Sequence, residues 1–239
     1  MKKILTYLFS LLLIGALAFL YSFSSAKNSA KKIKNIVIEF VEVENSFLTQ
    51  QMVNKLLIQN NRKVTNQPKS ILDLQGLEQR MLSNPYIESA TVFYTIDGVL
   101  KTIVKQRTPV ARINTSNLSY YVDKQGVKVP LSANYSARVI LITGGVNKDN
   151  LKEITAFLNV ILADDFLKKE IIGVHITQKE EFILSVRSGQ YKIELGSLEK
   201  MDIKFKKLKA FYNKAFVDKT IDQYKTINLK YHNQVVCAK

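Results

Sequence analysis

The sequence predicts an α+β protein with one N-terminal transmembrane helix, a small β-α-α-β-β domain and a mostly antiparallel β domain that contains helices. Three observations lead to this fold class. Residues 4–23 carry no charge, residues 35–106 alternate between strand-like and helical patterns, and the rest contains many short strand-like runs. The predicted parts are a tail (1–3), an anchor (4–23), a linker (24–34), a first domain (35–107) and a second domain (108–239).

The run Ile4–Phe23 is long enough to cross a bilayer. As a helix it spans about 30 Å, the thickness of the hydrocarbon core, and Tyr7 and Tyr21 lie near its ends, where aromatic rings favour the interface. The alternative is a cleaved signal peptide, since Ser24-Ser25-Ala26 offers small residues. A secretory hydrophobic region is usually about 7–15 residues long, so we expect an uncleaved single-pass anchor.

The charges around the anchor give a mixed signal about its orientation. Lys2 and Lys3 precede it and favour a cytoplasmic N-terminus, whereas the lysines that follow it argue the other way. Long segments cross the membrane largely regardless of their charge. We therefore expect the N-terminus in the cytoplasm and the bulk of the chain outside, in the periplasm, attached to the cytoplasmic (inner) membrane. The opposing lysines are Lys27, Lys31, Lys32 and Lys34.

The composition indicates a basic protein with an ordinary core. Lysine and arginine outnumber the acids 35 to 20, and hydrophobic residues make up 46% of the chain. Such a charge suggests nucleic acid, an anionic membrane surface or acidic partners. A protein outside the cytoplasm seldom meets nucleic acid, so we expect the membrane and acidic partners, with most lysines on a solvated surface. Cys237 is the single cysteine, which excludes an intramolecular disulfide.

The first domain begins with a β-branched strand over Ile36–Val43. Two helices are predicted next, one capped by Ser46 and extending to about Asn60, and one capped by Ser70 and ended by Asn84-Pro85. Two strands follow, Ile87–Ile96 and Val99–Gln106, and the Asp97-Gly98 pair between them favours a hairpin. Two helices on one face of a small sheet would bury an adequate core.

The second domain is predicted to contain eight strands and two helices. Pro109 marks its start. The strands are expected over Val110–Ile113, Leu118–Val122, Val127–Pro130, Arg138–Thr143, Ile171–Thr177, Phe182–Arg187, Tyr191–Leu195 and Thr226 to about Cys237. The helices are expected over Asp149–Ala163 and, rich in lysine, Leu198–Phe216.

The order β-α-α-β-β is that of a POTRA domain, a polypeptide-binding module outside bacterial membranes. Three segments in their order resemble the FtsQ/DivIB family of cell division proteins, and the resemblance covers essentially the whole chain. They match a strand pattern P-x-I-x-x-x-x-V, a junction E/R-x-P-V-A and a hairpin D-x-x-G. These segments are Asn84–Val92, Gln106–Arg112 and Tyr121–Gly126.

No catalytic, metal or cofactor site is expected. Catalysis needs groups with tuned proton affinity in one cleft, but the only histidines, His175 and His232, lie on different predicted strands without a triad or metal signature. His175 lies within an apolar strand and is interpreted as packed. Gly144-Gly145 lacks the other residues of a phosphate loop and is interpreted as a turn. The sequence therefore indicates a protein that is not an enzyme.

The resemblance implies a partner-binding edge on the last strand. In the FtsQ/DivIB family this strand docks a membrane-anchored coiled-coil partner, FtsB or DivIC, which associates with FtsL. Tyr231 matches an aromatic position, whereas Lys230 replaces an arginine and His232-Asn233-Gln234 departs from the Asp-Ser-Gly of some members. The alternative is that Tyr231 packs in the interior. The implied site is Lys230, Tyr231, His232, Asn233, Gln234, Val235 and Val236.

The expected function is that of a membrane-anchored, non-enzymatic scaffold of the divisome, which binds and recruits other division proteins for septum formation. The alternative is a POTRA-type transport or chaperone module for outer-membrane polypeptides. That function would need several POTRA repeats or a barrel, and neither is visible in the sequence.

Overall fold

The computed structural model describes residues 2–41, 47–58, 65–116 and 118–239. The chain forms two compact units, Met1–Gln106 and Arg107–Lys239. Both combine helices with sheets, so the predicted α+β class is confirmed.

The N-terminal helix α1 extends over Lys2–Ser29. Within the described residues, Tyr7–Ser29 is the one helical stretch long and apolar enough to cross a membrane, and none of its most apolar window is buried in the protein. The helix continues beyond Phe23, so the first part of the predicted linker is helical. Residues 24–29 contain neither proline nor glycine, and nothing local ends the helix earlier.

The rest of the first unit has the predicted order β-α-α-β-β. Its three-stranded sheet has the order β1-β3-β2, with β1 parallel and β2 antiparallel to β3. The hairpin between β2 and β3 turns at Gly98, whose φ of 84° suits glycine. The elements are β1 (Asn35–Val41), α2 (Gln50–Leu56), α3 (Leu74–Leu82), β2 (Ile87–Tyr94) and β3 (Val99–Gln106).

Both helices begin at residues other than the predicted caps. The Ser46 position lies outside the described residues, and α2 is capped by Thr49, whose hydroxyl accepts from the Met52 N–H. The prediction for Ser70 is wrong, because it lies in a short 3₁₀ turn and α3 is capped by the Asp73 carboxylate, which accepts from the Gly76 N–H at 2.9 Å. A carboxylate also complements the positive end of a helix.

One face of this sheet and the two helices enclose the first core. Buried residues of α2, α3, β2 and β3 meet there, and partly buried residues of β1 pack against them. At the sheet the Gln106 side chain accepts from the Leu48 N–H at 2.9 Å. This bond ties the chain ahead of α2 to the end of β3. The buried residues are Ile33, Leu48, Val53, Leu57, Leu77, Met81, Ile87, Val92, Leu100 and Val104.

The second unit is built on one nine-stranded sheet in the order β12-β11-β10-β9-β8-β7-β4-β5-β6. Most neighbours are antiparallel, but β4–β7, β7–β8 and β10–β11 are parallel. The strands are β4 (Pro109–Asn114), β5 (Ser119–Asp123), β6 (Lys128–Val129), β7 (Ile140–Gly144), β8 (Ile171–Ile176), β9 (Phe182–Val186), β10 (Lys192–Gly196), β11 (Thr226–Asn228) and β12 (Val236–Ala238).

Three helices accompany this sheet: α4 (Leu151–Ala163), α5 (Asp165–Glu170) and α6 (Met201–Val217). Helices α4 and α6 were predicted with similar bounds, whereas no helix was predicted at the position of α5. Asp164 ends α4 and caps α5, since its carboxylate accepts from the N–H groups of Phe166 and Leu167. Phe157 of α4 stacks on Phe205 of α6 in the core, with ring centroids 6.4 Å apart.

Two of the segments quoted for the family resemblance meet at Asp123. Its Oδ1 accepts from the N–H groups of Gln125 and Val127, and its Oδ2 accepts from Arg107 Nη1 at 2.7 Å. The turn is completed by Gly126, whose φ is 80°. The side chain of Asp123 is 7% exposed, so the D-x-x-G hairpin is fixed to the start of the second unit by a largely buried charge pair.

Candidate partner-binding edge

The predicted final strand is two strands. Thr226–Asn228 and Val236–Ala238 form an antiparallel hairpin, with Ile227 opposite Cys237, so a single strand over Thr226–Cys237 is wrong. The chain leaves β11 because the Asn228 side chain accepts from the Lys230 N–H at 2.9 Å. Such a local bond competes with the β ladder, and the polar residues that follow do not restore the alternation of a strand.

The implied site residues therefore lie mostly in the connection of this hairpin. Of the seven, Val236 alone lies in β12, and residues 230–235 join β11 to β12. Tyr231 is 51% exposed, so interior packing is not its role, and Val235 packs partly against the core. The part of the site that offers a strand edge is therefore β12, with the connection beside it.

The strand β12 lies at the end of the nine-stranded sheet. It pairs with β11 on one side, and on its other side the described residues supply no strand. An edge strand presents unpaired N–H and C=O groups to which a foreign strand can add. Val236, 39% exposed, presents an apolar side chain at this edge.

Helix α6 holds the connection in place. Lys207 Nζ donates to the carbonyl of Leu229 at 3.3 Å and to the carbonyl of Tyr231. These bonds fix the backbone on both sides of Lys230. Because a lysine ammonium satisfies the carbonyls, the connection keeps its shape although it has no ladder of its own.

Two acidic side chains hold the ammonium group of Lys230 in place. Its ammonium lies 3.3 Å from Glu181 and 3.6 Å from Glu194, and the hydrogen bond with Glu181 is the main cause that raises the pKa of Lys230. Its stem lies against Gly196, where a Cβ would come within 2.7 Å of Lys230 Cγ. The glycine therefore makes room for the lysine that begins the connection.

A shallow basic cavity of about 170 Å³ lies between α6 and the connection. Lys204 is buried there and donates to the Ser197 carbonyl at 2.7 Å. Burial, together with the charge of Lys207, lowers the pKa of Lys204. An anion beside these ammonium groups would favour their charged form and would therefore oppose the lowering of the Lys204 pKa. The surface thus favours an acidic partner. The lining includes Lys200, Lys204, Lys207, Lys230, Tyr231 and His232, with Glu199 as its one acid.

The histidines do not form a catalytic arrangement. His175 faces outward, with Nδ1 3.0 Å from Thr143 Oγ1, so the interpretation of a packed histidine is wrong. His175 is exposed, whereas its neighbours in β8, Val174 and Ile176, are buried. Gly144-Gly145 forms a turn in which Gly144 has φ 92° and the Gly145 N–H donates to Ile176. In the described part of the chain, no group of three His, Cys, Asp or Glu residues could hold a metal ion.

Comparison with known proteins matches both units. A family model described as "FtsQ/DivIB, C-terminal related" matches residues 108–238, and a "POTRA-like domain" model matches residues 31–105. A protein of Clostridium acetobutylicum named "Cell division protein DivIB" is 23% identical over 121 residues, or 51% of this chain. The chain covers about half of that relative, 47% of its length.

Proposed function

The chain belongs to the FtsQ/DivIB family, and from this premise we propose that it is a membrane-anchored, non-enzymatic scaffold of the bacterial division complex. Its POTRA-like and β units would recruit other division proteins for septum formation. In this proposal α1 is uncleaved, the N-terminus lies in the cytoplasm and both units lie outside.

The observation that supports partner recruitment is the free edge of β12 beside the basic connection. We propose that an extended, acidic segment of an FtsB- or DivIC-like protein, associated with an FtsL-like protein, adds to this edge as a further strand. Hydrogen bonds between the two backbones would provide affinity. The exposed ring of Tyr231 and the lysines of α6 would provide specificity. Anchoring both proteins in one membrane raises their effective concentration.

The binding edge is tested with side-chain variants that leave the fold intact. Tyr231→Ala should weaken binding of the extracellular part of the FtsB- or DivIC-like partner about fivefold or more, because a truncated aromatic anchor costs more than about 1 kcal/mol. Val236→Asp should weaken it as well, since it places a charge on the edge. Binding is measured by calorimetry with the purified chain in detergent.

The matched control is Val160→Asp on α4, since Val160 and Val236 are both 39% exposed. It should bind normally. Unchanged binding by both edge variants, or equal loss in the control, would contradict the proposed edge.

The division role itself is tested in cells. A fluorescent fusion should collect at the septum, and depletion should produce filaments. A transport or chaperone module for outer-membrane polypeptides would give a fusion spread around the envelope and cells that still divide.

A further inference from the structure

Helix α1 leads into the first unit through a hydrogen-bonded junction. The Lys31 carbonyl accepts from the Lys69 N–H at 2.9 Å, Ile33 exchanges bonds with Asn66 and Gln67, and the Lys34 N–H donates to the Gly98 carbonyl at 2.9 Å. Ile33 is fully buried. The 3₁₀ turn at Lys69–Ile71 and the β2–β3 turn are therefore held close to the end of α1.

A cavity of about 210 Å³ lies at this junction. Three lysines line it, Lys31, Lys32 and Lys69, together with the ring of Tyr94, and no acid lines it. Within the described residues none of these lysines forms an ion pair. The cavity therefore concentrates positive charge that the protein leaves uncompensated.

Tyr94 adds an unused hydrogen-bonding group. Its hydroxyl is buried and has no hydrogen-bond partner in the part of the chain described, and the Lys69 ammonium lies 5.4 Å from its ring centroid. A buried hydroxyl without a partner is costly, and the Tyr94 ring beside Lys69 forms an apolar part of the cavity lining.

The tip of the β2–β3 turn is apolar. Ile96 lines the same cavity and is 93% exposed, and it is followed by the exposed Asp97, which does not line the cavity. A fully exposed isoleucine beside a cluster of lysines is the composition of a surface that lies at a membrane interface.

The length of α1 places the cavity at the outer boundary of the headgroup layer. If the hydrocarbon core ends near Phe23, the helix rises a further ~9 Å to Ser29. The headgroup layer of a bilayer is roughly 5–8 Å thick on each side. The lysines that follow Ser29 would therefore lie at its outer boundary, where lysine attracts anionic lipid.

We propose that this cavity binds the phosphate of an anionic phospholipid of the membrane that holds α1, while Ile96 inserts among the headgroups. The inference rests on the proposed membrane anchoring. The three ammonium groups supply donors to the phosphate oxygens, and continuity with α1 brings the lipid to the site. The first unit is then seated on the bilayer.

The test uses the absence of tryptophan from the chain. The full chain with Ile96→Trp is placed in nanodiscs of phosphatidylcholine with a rising fraction of phosphatidylglycerol. Tryptophan emission should shift to the blue as phosphatidylglycerol increases. Replacing Lys31, Lys32 and Lys69 by glutamine should raise the fraction needed for half of the shift at least fivefold, since one lysine near an anionic surface contributes about that factor.

The control removes the same charge elsewhere, by replacing Lys148, Lys152 and Lys179 with glutamine, and should leave the titration unchanged. A blue shift that does not depend on the phosphatidylglycerol fraction would overturn the lipid site. So would a control variant that needs as much additional phosphatidylglycerol as the variant of Lys31, Lys32 and Lys69. A shift produced by inorganic phosphate in pure phosphatidylcholine, or by a soluble acidic peptide there, would assign the cavity to a soluble ligand and overturn it as well.

Co-elution of the chain with the nanodiscs separates this inference from the proposed function. A chain that does not co-elute lacks its anchor, which overturns both. A chain that co-elutes without preferring phosphatidylglycerol overturns the lipid site alone.

Discussion

Asp123 shows how one side chain can organise the start of a domain. It is a largely buried carboxylate that accepts from two backbone N–H groups of its own turn and from Arg107. The sequence marks it as part of a motif but does not reveal its partners, because Arg107 is brought to it only when β4 and β5 pair.

Asp123→Ala should destabilise the second unit by about 3 kcal/mol, because it removes these bonds and leaves Arg107, whose side chain is 17% exposed, without its counter-charge. The measurement is urea unfolding of the full chain in detergent. Asp149→Ala, at an exposed site, is the control and should cost less than about 0.5 kcal/mol. A similar small cost for Asp123→Ala would contradict the structural role.

Asp164 should make stability depend on pH. Its pKa is lowered by the hydrogen bond with Lys209 first, and then by the N–H of Leu167. A carboxylate with a lowered folded pKa contributes stability above its unfolded pKa of about 4, and this contribution is lost as pH falls through the folded value.

Asp164→Asn keeps a good helix cap but cannot titrate. Thermal unfolding between pH 5 and pH 2 should therefore show a smaller acid loss in this variant than in the parent chain. Parallel curves would mean that the carboxylate charge of Asp164 is unimportant for stability.

At the scale of elements, local patterns predict most helices and strands, because each buries one face with its own period. They do not predict the C-terminal hairpin. The alternation from Ile227 to Tyr231 suggests one continuous strand. The turn depends on the Asn228 side chain and on hydrogen bonds that Lys207, in a helix distant in sequence, donates to two carbonyls of the connection. The polar run His232-Asn233-Gln234 was the available signal for a turn.

The same limit applies to the binding site. Resemblance to a family pointed to this segment of the chain as the candidate site, but the exposure of Tyr231 and the basic cavity with α6 arise from tertiary packing. The short helix α5 was missed because one residue, Asp164, both ends α4 and begins α5.

Cys237 reports on this hairpin, since it is the single cysteine and lies in β12. Burial raises the pKa of its thiol, so less thiolate is present at neutral pH and iodoacetamide should react more slowly than with an exposed cysteine. A bound partner strand should slow the reaction further.

The control places the cysteine on α4, as Val160→Cys in a Cys237→Ser chain. This cysteine should react quickly with or without the partner. Equal rates at the two positions would show that the hairpin opens freely.

At the scale of the whole molecule, the proposed function gives separate roles to the N-terminal helix and to the two units. If α1 acts by confinement, replacing residues 4–23 with an unrelated membrane-spanning helix should preserve septal localisation, whereas a secreted chain without α1 should lose it, because effective concentration falls when the tether is removed. Fluorescence microscopy of both fusions provides the measurement. Loss of localisation with the substituted helix would show that α1 itself contacts a partner.

The parallel pairing of β10 with β11 makes the proposed binding edge depend on α6. The chain passes through α6 between β10 and β11, and within the described residues β12 pairs with β11 alone. If the proposed function holds, copies in which α6 has not packed would present no docking strand. A partner that binds this edge would then select fully folded copies of the chain.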